Sequence, residues 1–329
     1  MLWLFMQDQA ALECISLKSE NLKAKELYGG KRYRSFDFES KRIYGQKTIK
    51  LSIDGGFGCP NREGGRGGCI FCSQAGSGEF TGSMARLPFS IEKQLEIQRE
   101  LLSKKWKQGR YIAYFQNFTN TYGPIDVLRE RYEEACAPQW ISGMALATRP
   151  DCLSGEVLEL LSQIKKLEWV ELGLQTVVSG EKINRGYDNQ VFQQGVRALQ
   201  ERGIPVVAHV IFGLPGETRE DMLKSVAYAA EAGIWGIKLH MLYVDRTAPL
   251  FAVYQKQPFP LLTREEYVDI VCEALAILPE QVVIHRLTGD GKRENLIAPL
   301  WTADKLRVLS EIDRVMAEKQ YMQGCKALW

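Results

Sequence analysis

Three cysteines with a distinctive spacing stand in one glycine-rich loop. Cys59, Cys69 and Cys72 follow the pattern Cys-x9-Cys-x2-Cys within the stretch DGGFGCPNREGGRGGCIFC. Thiolates are the protein ligands of iron-sulfur clusters, and a four-iron cluster usually takes four of them. Three thiolates therefore favour a four-iron cluster with one iron open to a further ligand. A structural zinc site, which usually has four ligands, and a flexible surface loop are the alternatives.

The same loop carries seven glycines, at positions 55, 56, 58, 64, 65, 67 and 68. Glycine tolerates a positive φ, and such residues can turn backbone N-H groups toward an anion. The five other cysteines of the chain are scattered singly, so they predict neither a second metal group nor a disulfide framework. We expect a single cluster.

The composition is that of an ordinary globular protein, because 45% of the 329 residues are hydrophobic and 25% are charged. A formal net charge of +2 does not indicate a nucleic-acid-binding protein, as a strongly basic domain would. The opening residues lack a signal-peptide pattern, and no apolar run is long enough to cross a bilayer. We predict a cytoplasmic protein that does not enter a membrane.

Basic residues are concentrated near the start of the chain. Between Lys18 and Lys50 there are ten Lys or Arg and four Asp or Glu. The aromatic and basic residues of this segment could pair with phosphates and stack on bases of RNA. They are Lys31, Arg32, Tyr33, Arg34, Phe36 and Phe38. A solvated basic surface is the alternative interpretation.

Short apolar runs alternate with amphipathic segments along the middle of the chain. Strands are predicted at 48–53, 111–115, 144–147, 169–174, 206–212 and 236–242, and helices begin near 90, 124, 154, 189 and 218. Such alternation gives parallel strands, because each parallel connection needs a crossover. We predict an α/β fold, a partial (βα)6 TIM-like barrel at residues 48–245. The chemistry of such barrels collects at the C-terminal strand ends.

Two extensions flank the predicted barrel, at residues 1–47 and 246–329. The first has no clear core pattern. The second is predicted to pack on the barrel, with a helix opened by a capping box from Thr263 to Glu266, a short strand at 282–285 and a final helix from about 302.

Further motifs accompany the cysteine loop in a fixed order: YFQNFTNTY (114–122), ATRPDCL (147–153), VELGLQT (170–176), INRGY (183–187), HVIFGLPGET (209–218), IKLHMLY (237–243) and HRLTGDG (285–291). Over residues 31 to about 312 the chain resembles the radical S-adenosylmethionine (AdoMet) superfamily, in its YhcC/YtqA-type branch, which is related to the Elongator catalytic subunit. The resemblance implies that Cys59, Cys69 and Cys72 bind a [4Fe-4S] cluster. It also implies that AdoMet occupies the open iron and is cleaved to a 5′-deoxyadenosyl radical, with flavodoxin or ferredoxin as an electron donor.

The resemblance implies positions that contact AdoMet. Gln116 and Asn120 stand where the superfamily commonly has a Gly-Gly-Glu that holds the AdoMet amino group. Here the two glycines and the glutamate are absent. Phe71 and Gly213 are expected to lie along the adenine.

Three further polar residues belong to the same expected contacts. Glu171 and Gln175 resemble the residues that contact the ribose, and Arg185 is similar to residues that meet the AdoMet carboxylate. A solvated ion pair between Glu171 and Arg185 is the alternative.

Lys238 and His240 share one face of the sixth predicted strand, because they are two residues apart. The resemblance suggests that this strand borders the substrate, so Lys238, His240 and the following Tyr243 are the predicted catalytic residues. A core or solvated histidine is the alternative. His209 is expected to be structural, and Lys292 and Arg293 in the loop 288–293 could meet phosphates or belong to a polar turn.

The resemblance implies an enzyme that alters the side chain of a wobble uridine in tRNA by hydrogen abstraction. The acetyltransferase part of Elongator has no counterpart here, so we expect rearrangement or removal of a group installed by another enzyme. Two alternatives stay open: a radical-AdoMet enzyme for a small molecule or protein, and a non-enzymatic iron-sulfur or zinc protein for redox or assembly. The sequence does not indicate the oligomeric state.

Overall fold

A seven-stranded parallel sheet forms the centre of the computed structural model, which describes residues 27–76, 90–289 and 291–327. Within these residues the strands are β1 (Thr48–Ile53), β2 (Arg110–Phe115), β3 (Ile141–Thr148), β4 (Leu167–Gln175), β5 (Val206–Phe212), β6 (Gly236–Met241), β7 (Val244–Asp245), β8 (Val283–Arg286) and β9 (Leu296–Ala298). The sheet order is β1-β2-β3-β4-β5-β6-β8, and every neighbouring pair is parallel. Strands β7 and β9 form a separate antiparallel pair.

Helices connect the strands. They are α1 (Phe36–Tyr44), α2 (Ile91–Ser103), α3 (Ile125–Cys136), α4 (Gly155–Gln163), α5 (Asn189–Gln200), α6 (Arg219–Glu231), α7 (Pro249–Lys256), α8 (Arg264–Ile277) and α9 (Lys305–Glu318). Several begin where the sequence places a capping side chain: the hydroxyls of Ser90, Ser154, Thr218 and Thr263 accept hydrogen bonds from backbone N-H groups of the first turn. No helix of the described ranges is both long and apolar enough to traverse a membrane.

The helices bury their apolar faces against the outside of the sheet. On α4, Leu160 and Leu161 are each 1% exposed, and Phe192 and Val196 on α5 are fully buried in the same core. The spacing of these residues matches the helical period, which is why the crossovers pack as helices. The prediction of a partial parallel barrel is confirmed. Its residue range and the two domain boundaries stay predictions.

The barrel contains one more strand than the sequence predicts. The strand expected at 282–285 within the C-terminal extension is β8, which pairs in parallel with β6 through Gly236 and Val283. The period-2 pattern indicates a strand but not its partner. The partner depends on a contact between distant parts of the chain.

The described part of the N-terminal segment packs onto the barrel. Helix α1, which the sequence analysis leaves unassigned, contacts both edge strands, β1 and β8. Ser35 forms a bridge with Ile284 of β8. Phe36 lies inside the barrel, where its ring is 5.3 Å from that of Trp169 and 4.4 Å from that of His285.

The basic residues of this segment are also occupied within the chain. Lys31 pairs with Asp313, the buried Arg32 donates to the carbonyl of Tyr321, and Arg34 forms a two-pronged ion pair with Glu39. Tyr33 is 5% exposed, and Phe38 packs on Tyr28. Arg32 and Tyr33 are therefore buried, while Lys31, Arg34, Phe36 and Phe38 are only partly covered. The RNA-binding surface at these residues stays a prediction. The part of the basic stretch from Lys18 to Lys25 lies outside the described residues.

Candidate functional site

One cavity of about 210 Å³ is lined by the loop after β1 and by residues in or just after β2, β3, β4, β5, β6 and β8. Most of the residues that the sequence singles out line it: Cys59, Cys69, Phe71, Cys72, Gln116, Glu171, Gln175, His209, Lys238, His240 and Tyr243. The C-terminal strand ends of a parallel barrel are where such a site is expected.

The INRGY motif holds the cysteine loop in place. Asn61 donates from Nδ2 to the carbonyl of Asn184 at 2.6 Å and lies 3.5 Å from Sγ of Cys69. In return, the side chain of Asn184 donates to the carbonyl of Gly68 at 2.7 Å. The N-H of Ile70 donates to the carbonyl of Ile183 at 3.0 Å. These bonds join the loop after β1 to the loop after β4, so two strands position the cysteines.

Two more segments anchor the same loop. The N-H of Phe118 donates to Gly76, and the N-H of Thr119 donates to Gly58, so the loop after β2 runs beside it. From the C-terminal part of the chain, the N-H of Leu250 donates to the carbonyl of Ile70 at 2.7 Å. The first turn of α7 thus helps to hold the cysteine loop, although no sequence pattern marks it.

The glycines of the loop have the expected conformations. Five of the seven have positive φ: Gly56, Gly64, Gly65, Gly67 and Gly68. At Gly68, with φ of 78°, a Cβ atom would also lie 3.0 Å from Cγ of Arg62. A larger residue there would strain the backbone and push Arg62 away from the carbonyls of Cys72 and Ser73 to which it donates.

The three cysteines fit an iron-sulfur cluster in their chemistry. None of the three forms a disulfide bond in the described part of the chain, and all three line this cavity. Burial, followed by the neighbouring Cys72, raises the pKa of the Cys69 thiol to about 12, while Arg149 lowers it. A buried thiolate is therefore favourable here when a metal supplies positive charge. Within the described ranges, no three cysteine, histidine or carboxylate side chains form a group that could hold a single metal ion.

The predicted AdoMet contacts on β2 and β4 flank the cysteines. Gln116 accepts a hydrogen bond of 2.8 Å from the hydroxyl of Ser52. Gln175 has φ of 59°, at an irregularity in the pairing of β4 with β5. Non-glycine residues in this region are strained and cluster at functional sites. The hydroxyl of Tyr187 lies 2.7 Å from the carbonyl of Gly173 and 3.2 Å from Oε1 of Gln175. These contacts stabilise the irregular backbone at the end of β4.

Glu171 is the centre of a buried polar network on the inner wall. Its Oε2 atom accepts from the hydroxyl of Tyr114 at 2.7 Å and lies 2.6 Å from Nε2 of His209. Lys238 forms an ion pair with the same oxygen. Oε1 accepts from Nε1 of Trp169 at 3.0 Å. Both oxygens are thus satisfied by the protein, and the role of Glu171 at the ribose stays a prediction.

Lys50 lies below this network and completes it. Its ammonium nitrogen is 3.5 Å from Oε1 of Glu171 and within 5.4 Å of the ring centroids of Phe36, Tyr114 and Trp169. Burial lowers the pKa of Lys50 to about 7, and the pKa of Lys238 to about 8, while Glu171 raises both. Burial, followed by the charge of Lys238, lowers the pKa of His209 to about 4, so that imidazole is neutral near pH 7.

Three predicted AdoMet contacts do not line the cavity. Arg185 donates to the carbonyls of Leu174, Thr176 and Tyr187 and to the side chain of Asn189. Asn120 is fully buried and donates to backbone carbonyls, one of them that of Ala147. Gly213 has φ of 89°, and a Cβ there would approach Leu262. Their contacts with AdoMet stay predictions. Asp290, in the loop expected to meet phosphates, lies outside the described residues.

Several lining residues are absent from the sequence-based predictions: Tyr114, Arg149, Tyr187 and Arg286. The first two could have been found, because Tyr114 on β2 is two residues before Gln116, and Arg149 follows Ala147 at the end of β3. No local pattern points to Arg286, because β8 reaches the cavity only through its pairing with β6.

Comparisons with known proteins match nearly the whole chain. Residues 55–229 match the family described as the Radical SAM superfamily, and residues 234–318 match the Radical_SAM C-terminal domain. The uncharacterized protein YtqA of Bacillus subtilis is 40% identical over 300 residues, which are 89% of this chain and 92% of YtqA. Protein YhcC of Escherichia coli is 36% identical over 290 residues, which are 86% of this chain and 92% of YhcC.

More distant similarities extend to a solved structure and to a tRNA enzyme. The archaeal Elp3 of Methanocaldococcus infernus has the same fold, with a TM-score of 0.65 and 15% identity, and the match covers 84% of this chain and 64% of the Elp3 chain. The tRNA-2-methylthio-N(6)-dimethylallyladenosine synthase of Clostridium perfringens is 28% identical over 155 residues, which are 44% of this chain and 33% of the synthase.

Proposed function

The chain belongs to the radical SAM superfamily, in its YhcC/YtqA-type branch, and on that premise we propose that it modifies the side chain of a wobble uridine in tRNA. The family consists of enzymes that use a [4Fe-4S] cluster and AdoMet. The chain is therefore a radical SAM enzyme, and neither a structural zinc site nor a non-enzymatic redox role is retained.

Cys59, Cys69 and Cys72 would hold the cluster, which leaves one iron for AdoMet. When bound, the cluster supplies the electron that cleaves AdoMet to a 5′-deoxyadenosyl radical. Phe71 would lie along the adenine, and Gln116 and Gln175 would bind polar groups of AdoMet from the two sides of the cavity. Hydrogen bonds join Asn61 of the cysteine loop to Asn184, and the same loop accepts a hydrogen bond from Leu250. These bonds keep the cysteines in a fixed arrangement.

One observation carries the proposal: the three cysteines and the polar inner wall border the same cavity. A substrate group beside Lys238, His240 and Tyr243 would therefore lie in the space that the AdoMet site also faces. Lys238 can hold or release a proton near neutral pH, because burial lowers its pKa to about 8. The surrounding apolar groups, such as Ile211 and Leu242, would exclude water from a reactive radical.

The nature of the substrate is the less direct part of the proposal. A partial relative is named as a tRNA-modifying synthase, which supports a tRNA nucleoside as the substrate class. The branch is related to the Elongator catalytic subunit, which favours a wobble uridine. Because residues 31–38 pack on the barrel, the tRNA backbone would instead meet exposed cations such as Arg66 and Arg293. Flavodoxin or ferredoxin in the cytoplasm would supply the electron.

Nucleoside analysis of cellular tRNA tests this function. We expect tRNA from cells that lack the gene to differ from wild-type tRNA in a wobble-position nucleoside, and the wild-type gene to restore it. The Cys72→Ala gene should fail to restore it, since the chemistry requires the cluster. Identical nucleoside profiles in all strains would contradict a tRNA substrate and leave a small molecule or a protein, for which turnover would proceed without RNA.

A further inference from the structure

The inner wall of the cavity carries more positive than negative charge. Glu171 is the one carboxylate among the described residues that line the cavity. Two lysines share it, because Lys238 pairs with Oε2 and Lys50 lies 3.5 Å from Oε1. Arg286 lines the same wall and lowers the pKa of both lysines. One internal carboxylate is thus shared by two buried lysines.

The cysteine loop does not account for this excess. That loop has its own cations, since Arg62 donates to the carbonyls of Cys72 and Ser73, and Arg149 pairs with Asp151 beside Cys69. These two arginines lie on the cysteine side of the cavity. Lys238 is held on the other side by Tyr114 and Glu171. Because two buried lysines share one carboxylate, a second anion beside Lys238 would balance their charge, and the inner wall is suited to one.

His240 adds a hydrogen-bonding group to this wall. It lines the cavity two residues after Lys238, and its ring centroid is 5.2 Å from that of His209. Its Nε2 atom is buried and has no hydrogen-bond partner among the described residues. Burial lowers the pKa of His240 well below its usual value, so the imidazole is neutral and one of its nitrogens carries a hydrogen to donate. Buried polar atoms without partners usually signal a missing one.

We propose that the inner wall binds an anionic group of the substrate, a carboxylate or a phosphate, between Lys238 and His240. The site would orient the substrate by this group while its reacting carbon faces AdoMet. The inference deepens the proposed function, because it concerns the same cavity, but it does not require the substrate to be RNA. Failure of tRNA as the substrate would leave the anion site untouched.

The histidines of the chain offer a direct probe. There are only three: His209 adjoins Glu171, His285 adjoins Lys50, and His240 lies beside His209. We would label histidine rings with ¹³C in the anaerobic, cluster-loaded chain, saturate it with AdoMet, and titrate it with acetate, with inorganic phosphate, or with neutral acetamide. AdoMet saturation excludes the AdoMet carboxylate as the occupant. We expect at least one of the two anions, acetate or phosphate, to shift the His240 signal until the shift saturates. Acetamide should cause no such shift.

Matched variants then locate the anion. Lys238→Gln should weaken binding about tenfold, because it removes a charge-assisted hydrogen bond. Lys93→Gln, the same change at an exposed site on α2, should leave it unaltered. If Lys238→Gln fails to fold, the His240→Asn variant replaces it, and binding is then measured from the NMR signal of His209. We expect this variant to bind the anion severalfold more weakly. Equal shifts with acetamide, no saturable shift, loss of binding on addition of AdoMet, or unchanged affinity in the variants would each overturn the proposal.

Discussion

Lys238 on β6 and Glu171 on β4 form a buried ion pair across the interior of the barrel. Their side chains are 4% and 0% exposed. Strand β5 lies between them and contributes His209 to the same carboxylate oxygen. The carboxylate of Glu171 therefore joins side chains from three neighbouring strands inside the barrel. This polar network lines the cavity together with apolar side chains.

Replacement of Glu171 by Gln should destabilise the protein strongly. The change leaves Lys238 and Lys50 buried beside each other without a negative partner, and breaking a buried ion pair costs about 3–5 kcal/mol. We expect the melting temperature of the cluster-loaded chain to fall by on the order of 10 °C. The matched change Glu96→Gln, in an exposed pair with Lys93, should have little effect. Similar melting temperatures for both variants would show that Glu171 is not the structural centre of the barrel interior.

Lys50 should make stability rise with pH above neutrality. Its pKa is about 7 in the folded chain and about 10.5 when unfolded, so between these values only the unfolded state holds the proton. The free energy of unfolding then increases with pH, by up to about 1.4 kcal/mol per pH unit from this group. Denaturant unfolding of Lys50→Met between pH 7 and pH 9 should give a flatter dependence than the wild type. Parallel curves for the two proteins would rule out this effect.

The sequence predicts the barrel well because its signals are local. The bounds of β1 and β5 agree with the structure, and the capping residues mark where helices begin. Helix α1 escapes prediction because tertiary contacts stabilise it: the buried Glu39 pairs with Arg34 and Arg42, and Phe36 enters the barrel. A basic, aromatic segment looks the same in the sequence whether it faces solvent or packs inside.

The candidate site also has one part that local sequence signals predict and one part that depends on contacts between distant residues. The cysteine spacing predicts the metal ligands, because all three belong to one short loop. The inner wall cannot be found in this way, since Glu171, Lys50 and Lys238 come from β4, β1 and β6. Alternation along each strand indicates which side chains point inward. It does not show that a carboxylate and two lysines meet, because that depends on the stagger of the strands.

A substitution at Arg185 tests whether this residue supports the fold or binds AdoMet. Its guanidinium donates to the carbonyls of Leu174 and Thr176 at 2.7 Å each and to that of Tyr187 at 2.9 Å. Lysine cannot reproduce this fork, so Arg185→Lys should lower the free energy of unfolding by about 3 kcal/mol. Denaturant unfolding and the KM for AdoMet should be measured together, with the exposed Arg197→Lys as the control. A raised KM with unchanged stability would instead favour direct contact with AdoMet.

Cys72 tests the cluster itself. An alanine at this position leaves two thiols in the loop, too few to hold four irons in the manner of the family. We expect anaerobically reconstituted Cys72→Ala to lose most of its iron and to release no 5′-deoxyadenosine from AdoMet in the presence of a reductant. Cys136→Ala is the matched control, because that thiol lies on α3 with Sγ 3.9 Å from Sδ of Met144 and does not line the cavity. It should keep both its iron and its AdoMet cleavage. Retention of iron and cleavage by Cys72→Ala, or zinc in place of iron in the wild-type protein, would refute the assignment of the three cysteines.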